Sequence, residues 1–172
     1  MVDRDAQHRV LSQIDAADLI DLASALIRIP SFKPDETPVA HFLAPFYRER
    51  EYRVQLQEIE PGRLQAIATL PGTGGGASLM LNGHTDINAL TRRWKRDPWT
   101  PSLEGDRLYG HGVQNMKGGL ASIITGLASR PAQASPRNYP GSCSQREPKS
   151  AKVTYVRSAN LIYEALFVAL RL

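Results

Sequence analysis

Three observations place this sequence in the α/β class. A short apolar run, Leu79-Met80-Leu81, leads into a polar tip, Asn82-Gly83-His84-Thr85-Asp86, as a buried central strand does where it leaves its sheet. Upstream, Tyr52–Gln57 alternates apolar with polar residues, the period of a half-buried strand, and Leu64, Ala66, Ala68 and Leu70 recur at the same spacing as a second strand. Stretches with apolar residues at helical spacing lie on both sides of these strands. Two helices, three strands and a further helix make a mixed α/β layer.

The first helix is expected over residues 15–29. Leu19, Leu22, Ala23 and Leu26 form its stripe, widened by Ile20 and Ile27; Asp15 is placed to cap it and Pro30 to stop it. A second helix is expected to start with Thr37 as cap and Pro38 in its first turn. Val39, Phe42, Leu43 and Phe46 give its apolar face, and Pro45 should kink or shorten it. His41 beside that face reads as a surface or packing residue. Gly62 permits a turn between the two alternating strands. Pro71–Gly76 is a glycine-rich connection, and no Lys-Ser/Thr follows that would make it a phosphate loop. Residues 79–81 are expected to be buried, with Gly83 ending the strand and turning the backbone. Trp94–Pro101 is rich in turn formers, Asp106–Gly112 reads as a strand and bend, and Met116–Ala128 as a helix through Leu120, Ile123, Ile124 and Leu127.

Beyond residue 129 the character changes. Ser129–Ser150 carries Pro131, Pro136, Pro140 and Pro148 without periodicity and reads as linker or disorder. Lys152–Val156 is a candidate short strand, and Asn160–Leu172 a candidate amphipathic helix through Leu161, Ala165, Phe167, Val168 and Leu172. The division is therefore 1–129, patterned α/β, and 130–172, a divergent basic tail.

The 172 residues suffice for one domain with a core, and 42% hydrophobic with 22% charged residues is ordinary for a globular protein. The net charge of +4 is confined to the tail. Residues 130–172 hold seven Lys/Arg against two Asp/Glu, whereas residues 1–129 hold fourteen against fifteen. No basic stripe crosses the patterned part, which argues against nucleic acid as a partner. No apolar run reaches the ~18 residues of a membrane span, so no membrane partner is expected either. A lone Cys143 excludes an intrachain disulfide, and the polar start Met1-Val2-Asp3-Arg4-Asp5 lacks a secretory leader; a cytoplasmic location is expected.

His84 and Asp86 stand two apart, on one face of extended chain. Imidazole binds metals, and a neighbouring carboxylate fixes its tautomer. By itself the pair is common, and it favours a solvated loop histidine beside a turn aspartate over a metal site. A second stretch bears on the choice: Asp97-Pro98-Trp99, then Leu103-Glu104-Gly105-Asp106-Arg107-Leu108-Tyr109-Gly110-His111-Gly112-Val113-Gln114-Asn115-Met116-Lys117-Gly118-Gly119. Together with Gly83-His84-Thr85-Asp86, in this order and spacing, it resembles the M20 family of zinc metallohydrolases and peptidases, over about residues 15 to 129. That family includes acetylornithine deacetylase, succinyl-diaminopimelate desuccinylase, aminoacylase-1 and the carboxypeptidase G2 type.

The resemblance implies a three-layer α/β/α catalytic-domain fragment with a mixed sheet, amino-terminal part only, the family's lid domain being absent. It implies hydrolysis of an amide in an N-acyl amino acid or small peptide by metal-activated water. Family members use two Zn2+ ions; here one or none is expected, with Co2+ a possible substitute. Carried over, His84 is a metal ligand, Asp86 the catalytic carboxylate that orients it, and Asn115 occupies the metal-bridging position. The family has aspartate at that last position, and asparagine offers a neutral oxygen in place of a charged one. His111 replaces the family's arginine and is a conceivable spare nitrogen ligand. After Ala128 there is no histidine, and Glu147 and Glu164 are isolated, so the family's Glu-Glu pair and late histidine are missing. Two donors are too few for tight zinc. The expectation is a truncated, weakly active or inactive hydrolase; a shifted frame or a truncated gene accounts for the switch near residue 129. Translation of the other two frames beyond the Ser129 codon should then show Glu-Glu and a later His. The alternative is a non-catalytic remnant that binds a partner. Substrate identity and oligomeric state are not legible.

Overall fold

Asp15 sets the start of the first helix. Its carboxylate accepts the Ala17 N–H at 2.8 Å and caps α1 (Ala16–Ile27). The expected stripe is buried at Leu22, Ala23, Leu26 and Ile27, and the helix stops short of Pro30. The computed structural model describes residues 11–71, 78–128 and 165–171, together with positions 5 and 8.

Helix α2 (Thr37–Arg48) has Pro38 in its first turn and buries Val39, Ala40, Leu43, Ala44 and Tyr47. Thr37 is not the cap that its position suggests. It is the first helical residue, and its hydroxyl reaches sideways, donating to Gly62 O at 2.9 Å and accepting from Leu64 N at 3.0 Å. The hydroxyl thus fastens the helix to a hairpin formed by β1 (Arg53–Glu60) and β2 (Arg63–Leu70). Pro45 lies on the exposed side, and the helix runs on to Arg48. The hairpin is antiparallel, from Arg53↔Thr69 to Glu60↔Arg63, and Gly62 takes φ 78° in its turn. Strand β2 is covered on both faces, since Gln65, Ala66, Ile67 and Ala68 are all buried. Buried Gln65 is satisfied by Gln57 Oε1 across the ladder at 2.7 Å. Buried Arg63 pairs with buried Glu36 at 3.2 Å and with Glu60. Burial holds the Glu36 carboxyl above its usual range, against the pull of its backbone hydrogen bond and of Arg63.

Strand β3 (Ser78–His84) carries the polar tip. A short hairpin follows, β4 (Ser102–Glu104) with β5 (Arg107–Tyr109), turning at Gly105 with φ 61°. Gly112, with φ 81°, opens a wide turn over Val113–Lys117, which leads into α3 (Gly118–Ala128). Strand β6 (Ala165–Arg171) lies in the sheet, whose order is β1-β2-β6-β3. Leu22 and Leu26 of α1, Val39, Leu43 and Tyr47 of α2, Ala68 of β2, and Leu120 and Ile124 of α3 meet in one core. Helix and strand are interspersed along the chain, as the α/β class requires. Among the described residues no helix is long and apolar enough to cross a membrane.

Three further expectations need correction. Residues 79–81 are in a strand but not a buried one: Leu79 is 44% and Met80 49% exposed. β3 is the last strand in the described order, and among the described residues α3 packs on its far end, at Gly83, rather than on its apolar start. Gly83 does not end that strand. It lies within it because Leu120 Cδ2 and Met116 Cε would stand 2.6 and 2.8 Å from any Cβ there. Residues 165–171, expected helical, form β6. Ala-Leu-Phe-Val-Ala-Leu is a continuous apolar run, too short for its periodicity to separate helix from strand. The expectations for 129–150 and 152–156 lie outside the described residues.

Candidate active site

The end of β3 is held by the loop that follows α1. Buried Ser31 donates its hydroxyl to Thr85 O at 2.7 Å, Ile87 N donates to Ser31 O at 3.0 Å, and Phe32 bridges to Ile87. His84 is thereby fixed at the strand's carboxyl end, where open α/β sheets carry their chemistry. Its Nδ1 lies 3.0 Å from the main-chain oxygen of Asp86 and also 3.0 Å from Asp86 Oδ1. Only the first has hydrogen-bond geometry; buried Oδ1 is otherwise without a hydrogen-bond partner. The ring N–H therefore points at the carbonyl, and the carboxylate sits beside it as a charge neighbour. Nε2 faces Asn115 Oδ1 at 2.8 Å.

With the proton on Nδ1, Nε2 carries a lone pair, and an amide oxygen opposite it carries another. Two acceptors at this distance require a shared proton, a rotated amide that presents its NH2, or a cation. Asn115 lies in the wide turn 113–117, off helical geometry with φ −140° and ψ 89°. Lys117 anchors that turn. Its N–H reaches back to Gly112 O at 2.9 Å, and its buried ammonium, 1% exposed, donates to Leu26 O at 2.9 Å and Ile29 O at 2.6 Å. Burial lowers the Lys117 pKa to about 8. The sequence offered no periodic signal for this role; the only hint was a lysine in the first turn of an otherwise apolar helix.

His111 lies apart from the pair in its bonding. Its Nε2 is 2.7 Å from Asn88 O, and its ring is enclosed by Phe32, Trp94 and Trp99, with centroids 5.4 to 6.1 Å away. A cleft of about 330 Å3 runs past Asn115, lined by Asn88, Trp94, Tyr109, His111 and Gln114. A larger hollow of about 460 Å3 lies among the helices and includes no residue of the pair.

The chain aligns with curated amidohydrolases. An acetylornithine deacetylase of Aliivibrio salmonicida is 36% identical over 110 residues, 63% of this chain and 29% of that protein. A succinyl-diaminopimelate desuccinylase of Anaplasma marginale is 29% identical over 112 residues, 64% of this chain and 29% of that protein. Its relatives are M20 enzymes. A second desuccinylase, of Gluconobacter oxydans, is 43% identical over 56 residues, 33% of this chain and 15% of that protein. No family model matches the chain. The chain spans about three tenths of the length of the first of these M20 relatives.

The M20 zinc can be tested against the donors at hand. Among the described residues no group of three or more His, Cys, Asp or Glu is gathered to hold a metal ion. His84 and Asn115 present one nitrogen and one neutral oxygen, and the Asp86 carboxylate lies on the Nδ1 side of the ring. A structural or catalytic zinc takes at least three protein ligands. The described residues alone do not fit the M20 metal centre.

Proposed function

We infer that this chain corresponds to the amino-terminal, histidine-bearing portion of an M20-type hydrolase acting on the amide bond of an N-acyl amino acid or small peptide. In this reading the described sheet is the beginning of a three-layer α/β/α domain with a mixed sheet, and the family cofactor is zinc. One observation carries it: His84 Nε2 and Asn115 Oδ1 converge to 2.8 Å at the end of β3, with Asp86 behind the ring. His84 is the ligand of this reading, Asp86 its orienting group and Asn115 the bridging position. The cleft beside Asn115 is the place for substrate, and the Asp86 carbonyl keeps Nε2 turned toward Asn115. No carboxylate is among the residues that line the cleft to serve as general base, so in this reading turnover by the described residues alone is low or nil.

The test compares the chain with Asn115→Asp. An anionic oxygen at this position strengthens charge-assisted coordination, so the variant should hold Zn2+ or Co2+ at least about tenfold more tightly, an effect lost with His84→Ala. Equal affinity of the chain and Asn115→Asp would refute the assignment of Asn115. More than one zinc per unmodified chain, with turnover of an N-acetyl amino acid, would refute the low-activity part.

A second reading, a non-catalytic partner-binding protein, draws on the exposed Leu79 and Met80. Cooperative unfolding of a soluble chain favours it; aggregation favours the incomplete hydrolase.

A further inference from the structure

Strands β2 and β3 do not touch through hydrogen bonds; β6 lies between them. It runs parallel to β2, with Ile67↔Phe167 through Leu70↔Leu170, and antiparallel to β3, with Ser78↔Arg171 through His84↔Ala165. Neighbouring strands are about 4.8 Å apart, so β2 and β3 alone would face each other across roughly twice that distance, beyond hydrogen bonding. Every residue of β3 has a partner on β6, and β6 is the only strand that ladders with β3 among the described residues. His84 pairs with Ala165, at the first residue of β6.

We propose that residues 165–171 are a donor strand, supplied from the basic tail to the slot between β2 and β3, and that they position the His84 end of β3. The claim does not depend on the hydrolase reading. A slot of one strand's width binds through main-chain groups, the mode by which strand addition gains affinity. Its consequence is local. The β1–β2 hairpin carries its own ladder and its own helix cover, whereas β3 ladders with no described strand but β6, its other ties being the Ser31 loop, the packing of Gly83 on α3 and the His84–Asn115 contact at its end. The tail is thus part of the scaffold of the candidate site.

Two measurements on the full chain test this. In a Cys143→Ser background, Met80→Cys with Ala169→Cys places two thiols on directly opposed residues, whereas Met80→Cys with Leu170→Cys offsets them by one, onto opposite faces. Oxidation should close an intrachain disulfide in the first pair and not in the second. Closure of neither, equal closure of both, or a link formed only between two chains overturns the proposal. Val168→Pro puts a residue without an N–H at the middle of β6, at the position opposite Ala68 on one side and Leu81 on the other. Amide exchange over 79–84 should accelerate at least tenfold and the His84 ring resonances should move, while residues 53–58 keep their protection. Unchanged exchange in β3 overturns it. Should Val168→Pro aggregate, the cysteine pairs decide.

Discussion

Lys117 makes the sharpest prediction. Its ammonium is buried, and burial brings its pKa from the usual ~10.4 down to about 8. The folded chain therefore releases this proton at lower pH than the unfolded chain does. Between the two values the unfolded state binds more protons, so stability rises with pH. The gain begins near pH 8 and is complete only above ~10.4, and it reaches about 2 kcal/mol between pH 7 and 9.5. The neutral amine still has N–H groups for both Leu26 O and Ile29 O, so the anchor itself survives deprotonation. Lys117→Met removes the titration and takes the ammonium from Ile29 O, at a cost of about 1–3 kcal/mol, while Leu26 O keeps the Ile29 N–H at 3.2 Å. At any single pH these two effects mix. The change with pH isolates the first. Urea unfolding of both proteins at pH 7, 8, 9 and 9.5 should show the wild-type advantage growing by about 2 kcal/mol. The range stops there because burial raises the Tyr47 phenol, which makes stability fall once unfolded tyrosine ionises near pH 10. A difference that stays flat across the series would refute the buried-cation account.

Two further substitutions probe the frame around the pair. Gly112→Ala places a Cβ 2.5 Å from Ile87 Cγ2 at a residue with φ 81°, so strain and overlap together should lower stability by about 2–4 kcal/mol in denaturant melts. Arg63→Met leaves Glu36 buried without its cation, a loss of about 3–5 kcal/mol at neutral pH. Since Glu36 is already displaced upward by burial, its pKa rises further in this variant and folding is favoured by protonation. The deficit should therefore shrink as pH falls toward the carboxylate range, and a deficit that is constant from pH 7 to 4.5 counts against the pairing.

The helices were legible because each carries its own punctuation. Asp15 and Pro30 bracket α1, and the spacing of Leu22, Ala23 and Leu26 names its buried face. The β1–β2 hairpin was legible from alternation and Gly62. What failed was anything set by contacts distant in sequence. Thr37 reads as a cap in isolation; the hairpin turn at Gly62 recruits its hydroxyl instead. Leu79 and Met80 read as core, but burial requires a layer above them, and local pattern carries no count of layers. Gly83 reads as a breaker, whereas Leu120 and Met116 pressing on its Cα explain why no larger residue fits. The tail run 165–171 has no intrinsic preference strong enough to choose between helix and strand, and the vacant ladder on β3 chooses for it.

The site divides along the same line. The residues that converge were visible as motif, because His84, Asp86 and Asn115 belong to short segments with recognisable spacing. Their orientation was not. The resemblance gave the Asp86 carboxylate the orienting role, while in the structure the main-chain oxygen of Asp86 receives the ring N–H and the carboxylate lies alongside at the same 3.0 Å. Lys117, which holds the Asn115 turn to α1, contacts residues some ninety positions earlier, 91 and 88 apart in sequence. That distance explains the pattern: a histidine at the end of a strand needs only β3, but its confrontation with Asn115 needs α1, the Ser31 loop and the 113–117 turn at once. A neutral oxygen at the meeting point then decides the chemistry. Geometry brings two acceptors to 2.8 Å; with aspartate in place of Asn115 the rotated amide is no longer an option, and the contact would call for a protonated ring or a cation.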